Sequence, residues 1–270
     1  MYAPNHTINT YSEYTRISMK YNLNNVIATR LDKVVYRDKN MVIKVFSNSY
    51  SKASVLNEAL NQARVEETGL NIPKILEITV LNDGEWAIIS EFIEGKTIET
   101  LMHENPEKTD EYLEKLVDLQ IEISSRKCPL LSKLRDKMQQ KISATSLDAA
   151  NRYELHTRLE GMPNHNKLCH GDFNPSNVIV TPKGSSYIID WSHATQGNSS
   201  ADVARTCLYF KLRGEAFLAE KYITLFCNKS NTPRQYVEKW MPIVAASQSI
   251  KGNPNERNAL LEMVNIIDHE

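Results

Sequence analysis

The decisive stretch of this sequence reads His170-Gly171-Asp172-Phe173-Asn174-Pro175-Ser176-Asn177, and the pair Asp190-Trp191 follows it after a short apolar segment. A D-x-x-x-x-N element joins Asp172 to Asn177, and Asp190 supplies a second acidic side chain. Transfer of a phosphoryl group from a nucleotide needs a carboxylate beside the acceptor hydroxyl and oxygen ligands that hold Mg²⁺ against the phosphates. These three side chains are of the right type for both tasks.

A short predicted hairpin brings these side chains together. The runs at residues 178–180 and 187–189 are β-branched or aromatic, and a Thr-Pro-Lys-Gly turn at 181–184 joins them. Because the second strand returns towards the start of the first, we expect Asp190 to lie beside the loop that ends at Asn177. The sequence therefore predicts that two magnesium ligands converge here.

The N-terminal third of the chain contains a candidate phosphate-binding lysine on a strand. Apolar runs at residues 34–36 and 41–46 flank a polar break of hairpin length, which predicts two paired strands. The alternation of a strand places Lys44 on the face opposite Ile43 and Val45. In a kinase, a lysine at this position would hold the α- and β-phosphates.

One helix of moderate length should follow this hairpin. Ser51 is a good N-cap and Gly69 a good stop signal, so we expect the helix to lie between them. Glu58 on this helix is placed to pair with Lys44. The predicted apolar stripe of the helix consists of Val55, Leu56, Ala59, Leu60 and Ala63.

Two further strands complete the predicted sheet. The apolar runs at residues 75–81 and 86–93 are joined by Asn82-Asp83-Gly84-Glu85, in which Asp-Gly favours a tight hairpin turn. Beyond this point the apolar spacing is mainly helical. We expect an N-terminal nucleotide-binding lobe at residues 1–94 and a C-terminal catalytic and substrate-binding lobe at residues 95–270.

The pattern H-G-D-x-x-x-x-N with a later I-D-W resembles the signature of the aminoglycoside phosphotransferase and choline kinase superfamily, relatives of the protein kinases. The resemblance extends over residues 34–210, where four separated elements occur in the family's order. It implies an α+β, two-lobe protein-kinase-like fold, with a small antiparallel sheet lobe and a larger, mostly helical lobe. It also implies a kinase that uses ATP and Mg²⁺ and has an alcohol group as acceptor.

The resemblance implies a role for each residue of the motif. Asp172 would be the catalytic base that orients and deprotonates the acceptor hydroxyl, and Asn177 and Asp190 would be the magnesium ligands. Lys44 and Glu58 would form the ion pair that positions the nucleotide phosphates.

Four supporting positions follow from the same resemblance. Backbone groups of Glu91 and Ile93 would contact adenine at the hinge between the lobes. Asp202 would brace the catalytic loop, and His170 would support it rather than transfer protons.

The phosphate-covering loop departs from the pattern of many kinases. No glycine precedes Gly69, although the place of the loop, at residues 28–33, can be located. Arg30 or Lys33 would supply charge there, but a chain without glycine approaches phosphate less closely.

Composition excludes several classes of partner. The 270 residues contain 32 basic and 33 acidic side chains, so no overall field attracts nucleic acid or an anionic membrane. The four cysteines lack metal-binding spacing, and neither an apolar signal segment at residues 1–19 nor a long apolar run occurs. We expect a cytoplasmic protein with reduced thiols; its oligomeric state is not indicated.

The leading hypothesis is transfer of the ATP γ-phosphate to a hydroxyl of a small molecule, such as an antibiotic, an amino alcohol or a sugar. Polycationic drugs need acidic pockets, whereas basic residues slightly outnumber acidic ones over residues 206–270. One alternative is a protein serine/threonine kinase, against which the short segment 191–201 argues. The other is a nucleotide-binding pseudokinase that regulates a partner, suggested by the missing glycines.

Overall fold

A small sheet lobe precedes a larger, mainly helical lobe in the computed structural model, which describes residues 20–30, 32–81, 84–250 and 254–265. This is the α+β arrangement that the sequence predicts. No helix in these ranges is both long and apolar enough to cross a membrane.

The small lobe contains one antiparallel sheet of five strands in the order β1-β2-β3-β5-β4. The strands are β1 (Val26–Arg30), β2 (Lys33–Asp38), β3 (Met41–Phe46), β4 (Ile75–Val80) and β5 (Trp86–Glu91). The apolar runs predict all of them except β1, which falls in the region assigned to the phosphate-covering loop. Asn82 and Asp83 of the predicted β4–β5 turn lie outside the described residues.

Helix α1 (Lys52–Glu66) begins at the predicted N-cap, where Ser51 Oγ accepts a hydrogen bond from Ser54 N at 3.1 Å. Its predicted apolar stripe is only partly right. Val55 and Ala59 are buried, but Leu56, Leu60 and Ala63 are exposed.

The buried face of α1 includes two polar residues that contact other elements. Glu58 and Asn61 are each only 4% exposed, because Glu58 contacts Lys33 and Lys44 of the sheet and Asn61 contacts the large lobe. Asn61 Nδ2 donates a hydrogen bond to Ser192 O at 3.1 Å, which ties α1 to the turn after Asp190. Burial of these polar groups displaces the apolar stripe from the position that hydrophobicity alone predicts.

The large lobe consists of helices with two small sheets among the described residues, one of two strands and one of three. Its elements are β6 (Lys96–Thr97), α2 (Ile98–Glu104), α3 (Thr109–Ser125), α4 (Leu134–Ser143), α5 (Ala149–Gly161), β7 (Lys167–Cys169), β8 (Val178–Val180), β9 (Ser186–Ile188), β10 (Thr195–Gly197), α6 (Ser199–Leu212), α7 (Ala216–Ser230), α8 (Arg234–Glu238), α9 (Met241–Gln248) and α10 (Pro254–Asn265). Strands β8 and β9 form the predicted hairpin, β6 pairs with β8, and β10 pairs with β7.

The proposed catalytic loop, residues 170–177, lies on the main hydrophobic core of this lobe. Trp191 and Phe173 flank the loop and are fully buried, together with Leu116 of α3 and Phe210 of α6. Trp191 Nε1 donates a hydrogen bond to Ile188 O at 3.0 Å, so the polar edge of the indole is also satisfied. This packing gives the polar loop a rigid support.

Candidate active site

A cleft of about 470 Å³ between the sheet and the catalytic lobe brings together most of the predicted site residues. Six of the seven residues named from the sequence line it: Lys44, Glu58, Glu91, Ile93, Asn177 and Asp190. The seventh, Asp172, is next to this cleft, because Asn177 Nδ2 donates a hydrogen bond to Asp172 O at 2.9 Å. The structure therefore places all seven around one region.

Glu58 binds two lysines at once. Its Oε1 lies 2.6 Å from Lys44 Nζ, and its Oε2 lies 3.1 Å from Lys33 Nζ. Lys44 is on β3, and Lys33 starts β2, where it pairs with Phe46 of β3. The sequence suggested Lys33 only as a phosphate contact, because the pairing of β2 with β3 is needed to bring it next to Glu58.

Lys44 also contacts the second predicted carboxylate. Its Nζ lies 3.5 Å from Asp190 Oδ1. Burial disfavours the charge on Lys44, but Asp190 and Glu58 outweigh it and raise the pKa of the lysine. Burial also opposes ionisation of Asp190, yet the charges of Lys44 and Lys33 outweigh it and lower the pKa of the aspartate. Both side chains are therefore charged at neutral pH.

Asp190 has an unusual backbone and an unsatisfied oxygen. Its φ of 63° lies in the left-handed region, which a residue other than glycine adopts at some cost. Among the described residues, no group donates a hydrogen bond to its buried Oδ1, which makes an ion pair with Lys44 Nζ at 3.5 Å. An ionised oxygen of this kind is suited to bind a cation.

The residues present fit a magnesium ion. Asn177 Nδ2 is used in the bond to Asp172 O, so the amide oxygen is the atom that can bind a cation. Mg²⁺ usually takes one or two side-chain oxygens and completes its shell with water and phosphate. In the described ranges no three His, Cys, Asp or Glu side chains form a group that could hold a metal ion.

Asp202 on α6 holds the start of the catalytic loop. Its Oδ2 accepts a hydrogen bond from His170 N at 2.7 Å, and its Oδ1 accepts one from Gly171 N at 2.6 Å. Gly171 has a φ of +81°, and a Cβ atom there would lie 2.5 Å from His193 O. Only glycine fits this turn, which explains the glycine of the H-G-D element.

The ring of His170 is fully buried, and both of its nitrogens make hydrogen bonds. Its Nε2 lies 2.9 Å from Ile189 O, and its Nδ1 accepts a hydrogen bond from Asp172 N at 3.2 Å. The carbonyl and the backbone N–H therefore fix one neutral tautomer, with the proton on Nε2. This geometry agrees with a supporting position for His170.

The carboxylate of Asp172 has a partner that the sequence analysis missed. Arg205 Nη2 on α6 lies 2.9 Å from Asp172 Oδ1. Arg205 follows Asp202 by three residues, so both lie on one face of the helix. Thr206 Oγ1 on the same face donates to Phe173 O at 2.6 Å. The sequence analysis predicted that Asp202 braces the catalytic loop. Its three-residue spacing to Arg205 could therefore have identified Arg205 as a second residue that faces the loop.

At the hinge, some backbone groups are already hydrogen-bonded within the protein, and only the others can bind a ligand. Glu91 N donates to Lys74 O at 3.0 Å, so the group that Glu91 can offer to a ligand is its carbonyl. Phe92 N is likewise used, in a bond to Asn40 O at 2.9 Å. Ile93 and Ser90 also line the cleft. A flat heterocycle with both donor and acceptor atoms matches such an edge.

A sheet lobe, a helical lobe and a cleft with paired lysine, carboxylate and amide groups define a protein-kinase-like phosphotransferase. The chain belongs to the phosphotransferase enzyme family, whose model matches residues 28–236. No curated protein matches the sequence.

Solved structures of low sequence identity share the fold. A thermostable mutant of aminoglycoside phosphotransferase APH(4)-Ia, in ternary complex with AMP-PNP and hygromycin B, is 17% identical, with a TM-score of 0.69 over 95% of this chain and 97% of that chain. Aminoglycoside-3'-phosphotransferase of type VIII is 13% identical, with a TM-score of 0.66 over 87% and 98%. A choline/ethanolamine kinase family protein from Mesorhizobium loti is 13% identical, with a TM-score of 0.61 over 96% and 93%.

Proposed function

We propose that this protein transfers the γ-phosphate of ATP to a hydroxyl group of a small molecule, with Asp172 as catalytic base. The observation that carries the proposal is the cleft in which Lys44, Asn177 and Asp190 meet, with Asp172 one hydrogen bond away from Asn177. Membership of a phosphotransferase family and the ternary complex of the structural neighbour support the same reading.

The nucleotide would lie between the two proposed lobes, residues 1–94 and 95–270. Adenine would contact the backbone of Glu91 and Ile93, and Lys44 would bind the α- and β-phosphates while Glu58 fixes its position. Lys33 and Arg30, which also line the cleft, would add positive charge where other kinases have glycines.

Asn177 and Asp190 would hold Mg²⁺. The ion would neutralise part of the negative charge of the phosphates when it is bound. The unsatisfied Oδ1 of Asp190 and the available amide oxygen of Asn177 support this assignment. The lysine pair beside them would then stabilise the charge that remains on the nucleotide.

Asp172 would take the proton of the acceptor hydroxyl. The hydroxyl oxygen forms a bond to the γ-phosphorus, the bond from phosphorus to the bridging oxygen of ADP breaks, and the proton stays on the Asp172 carboxylate until solvent removes it. Arg205 holds that carboxylate through Oδ1, so the base has a defined orientation before the acceptor binds. Arg205 is a positioning residue in this step.

The segment between Asp190 and Asp202 favours a small acceptor over a protein. A short 3₁₀ helix (Trp191–His193), strand β10 and the start of α6 occupy the segment except for Ala194 and Asn198. No long loop therefore remains between these two residues to dock a peptide.

The test is release of ADP in the presence and absence of Mg²⁺, over a panel of hydroxyl compounds. We expect at least one compound to stimulate release, and Asp172→Asn to abolish that stimulation while ATP still binds. Asp118→Asn, on the exposed face of α3, is the matched control. Stimulation that survives in Asp172→Asn would refute the assignment of the base, and absence of ATP binding would refute the function.

A further inference from the structure

Helix α1 buries an amide side chain and leaves a leucine beside it in water. Asn61 is 4% exposed, whereas Leu60, its neighbour in the sequence, is 47% exposed. This arrangement gives up hydrophobic stabilisation, and a buried amide is tolerated only if it forms hydrogen bonds. The hydrogen-bond partner of Asn61 therefore indicates what this position contributes.

The partner is the backbone of the turn that follows Asp190. Asn61 Nδ2 donates a hydrogen bond to Ser192 O at 3.1 Å, although the two residues are 131 positions apart in the chain. Ser192 lies in the 3₁₀ helix Trp191–His193, and Asp190 is the residue that directly precedes this helix. Asn61 is therefore attached to the chain two residues beyond the proposed magnesium ligand.

The backbone of Asp190 needs support on both sides. Its φ of 63° and ψ of 62° lie in the left-handed region, and a residue other than glycine keeps such angles only where the surrounding structure holds them. Relaxation of these angles would change the direction of the carboxylate relative to the strand before it. The contacts on either side of Asp190 therefore decide where its oxygens lie.

Before Asp190, the support comes from the large lobe. Ile189 N donates a hydrogen bond to Asn177 O at 2.9 Å, and Ile189 O lies 2.9 Å from His170 Nε2. Both backbone groups of the residue before Asp190 are thus bonded to the proposed catalytic loop.

After Asp190, the support comes from both lobes. In the large lobe, Trp191 is fully buried, and Lys137 Nζ donates a hydrogen bond to His193 O at 3.3 Å. In the small lobe, Asn61 binds the carbonyl of Ser192, which lies between these two residues. The bond from Asn61 therefore attaches the turn to α1.

The same face of α1 also contacts the side chain of Asp190 through a lysine. Glu58 precedes Asn61 by three residues, so both lie on one face of the helix. Glu58 Oε1 lies 2.6 Å from Lys44 Nζ, which lies 3.5 Å from Asp190 Oδ1. This face therefore reaches Asp190 twice, at the carboxylate by way of Lys44 and at the backbone by way of Ser192.

We propose that Asn61 is a positioning residue for the magnesium ligand Asp190. Through Ser192 O it fixes the left-handed backbone that sets the direction of the Asp190 carboxylate. The inference rests on the proposed function, because that function assigns Asp190 to magnesium. Loss of the Asn61 amide should weaken the binding of nucleotide with Mg²⁺ more than the binding of nucleotide alone.

The first test is equilibrium binding of AMP-PNP by calorimetry, with Mg²⁺ and with EDTA, so that no turnover is needed. For Asn61→Ala we expect the Kd with Mg²⁺ to rise roughly threefold to tenfold, the factor that corresponds to one hydrogen bond between neutral groups. The Kd in EDTA should not change. Asn57→Ala, an exposed asparagine one turn earlier on α1, is the matched control and should change neither value. An unchanged ratio of the two Kd values in Asn61→Ala would overturn the proposal.

A double variant distinguishes positioning of Asp190 from a general effect on the fold. If Asn61 acts through Asp190, Asn61→Ala should add nothing to the effect of Asp190→Asn on the Kd with Mg²⁺, because the ligand that it positions is already lost. Effects that add in full would contradict the proposal. Asn61→Leu, which nearly keeps the volume and lacks the amide, serves in both tests if Asn61→Ala does not fold.

Hydrogen exchange of the free protein tests the same contact without nucleotide. In Asn61→Ala the backbone amides of residues 190–193 should exchange roughly threefold to tenfold faster, whereas those of α3 should not change. If AMP-PNP binds to the wild type neither with Mg²⁺ nor with EDTA, the proposed function fails and the exchange result decides on Asn61. Faster exchange at residues 190–193 would support its positioning of Asp190, and unchanged exchange would overturn it.

Discussion

Arg205 binds the proposed catalytic carboxylate from the same helix face on which Asp202 binds the backbone of the catalytic loop. Arg205 Nη2 lies 2.9 Å from Asp172 Oδ1, and both side chains are largely shielded from water. An ion pair in such surroundings orients its partners more than an exposed pair does, because water competes less for the same hydrogen bonds. The position of the base is therefore set by α6.

Removal of this arginine should slow catalysis with little effect on nucleotide binding. For Arg205→Gln we expect kcat to fall by roughly tenfold to a hundredfold, since a hydrogen bond to a charged group contributes about 1.5–3 kcal/mol. The KM for ATP should stay within about twofold, and Arg205→Lys should recover part of kcat. Arg213→Gln, just beyond the same helix and half exposed, is the control. Steady-state kinetics would contradict this role if kcat were unchanged.

Loss of the carboxylate that joins Lys33 to Lys44 should weaken both nucleotide binding and folding. In Glu58→Gln the two ammonium groups lose their shared counter-ion, so we expect a higher KM for ATP and a free energy of unfolding lower by about 1–3 kcal/mol. Urea unfolding and kinetics measure the two effects. As a control, Glu67→Gln, exposed just after α1, should change neither the KM for ATP nor the free energy of unfolding. If Glu58→Gln were as stable as the wild type, the contacts of Glu58 with the two lysines would not stabilise the fold.

The contribution of Asp190 to the free energy of unfolding should be lost at acid pH. Its pKa is lowered below the ordinary value of 3.8, so its stabilising effect is present above that value and is lost as the pH falls towards the folded-state pKa. The pKa of Lys44 is raised above 10.5, so the lysine contribution is lost only in strong alkali.

For this pair we expect a plateau at intermediate pH. The difference in unfolding free energy between the wild type and Asp190→Asn should be constant from about pH 5 to about pH 9 and should shrink below about pH 4. Denaturant titrations across this range measure it. A difference that grew as the pH fell would contradict the ion pair.

A glycine at the hinge should tolerate no side chain. A Cβ atom on Gly95 would lie 2.4 Å from Val180 O and 2.8 Å from Ile179 Cγ2 of strand β8. Gly95→Ala should therefore lower the free energy of unfolding by about 1–3 kcal/mol, as overpacking does elsewhere. Gly161→Ala, where nothing lies within 4 Å, should be neutral or stabilising by up to about 1 kcal/mol. Calorimetry of both variants measures the contrast, and equal effects would refute it.

The sequence predicted correctly the elements that depend only on residues close together in the chain. The Ser51 cap, the turn at residues 181–184 and the apolar strands need only short-range rules, and the structure has all of them. The two-lobe fold with a small antiparallel sheet was also predicted, because the H-G-D pattern resembles that of a family whose fold is known.

Features that depend on packing were missed. Strand β1 has mixed composition and is defined by its pairing with β2. Leu60 is 47% exposed although it falls on the apolar stripe, because the burial of Glu58 and Asn61 turns the helix. Only the three-residue spacing from Asp202 pointed to Arg205, and the sequence analysis did not use it because Asp172 is distant along the chain. Such contacts are defined only by the tertiary packing within each lobe.

The attachment of the catalytic loop to a single helix has an evolutionary consequence. Asp202, Arg205 and Thr206 of α6 hold residues 170–173 through four hydrogen bonds. Substitutions outside this face of α6 leave these four contacts in place. The proposed base can therefore keep its position in descendants whose other elements have changed in sequence.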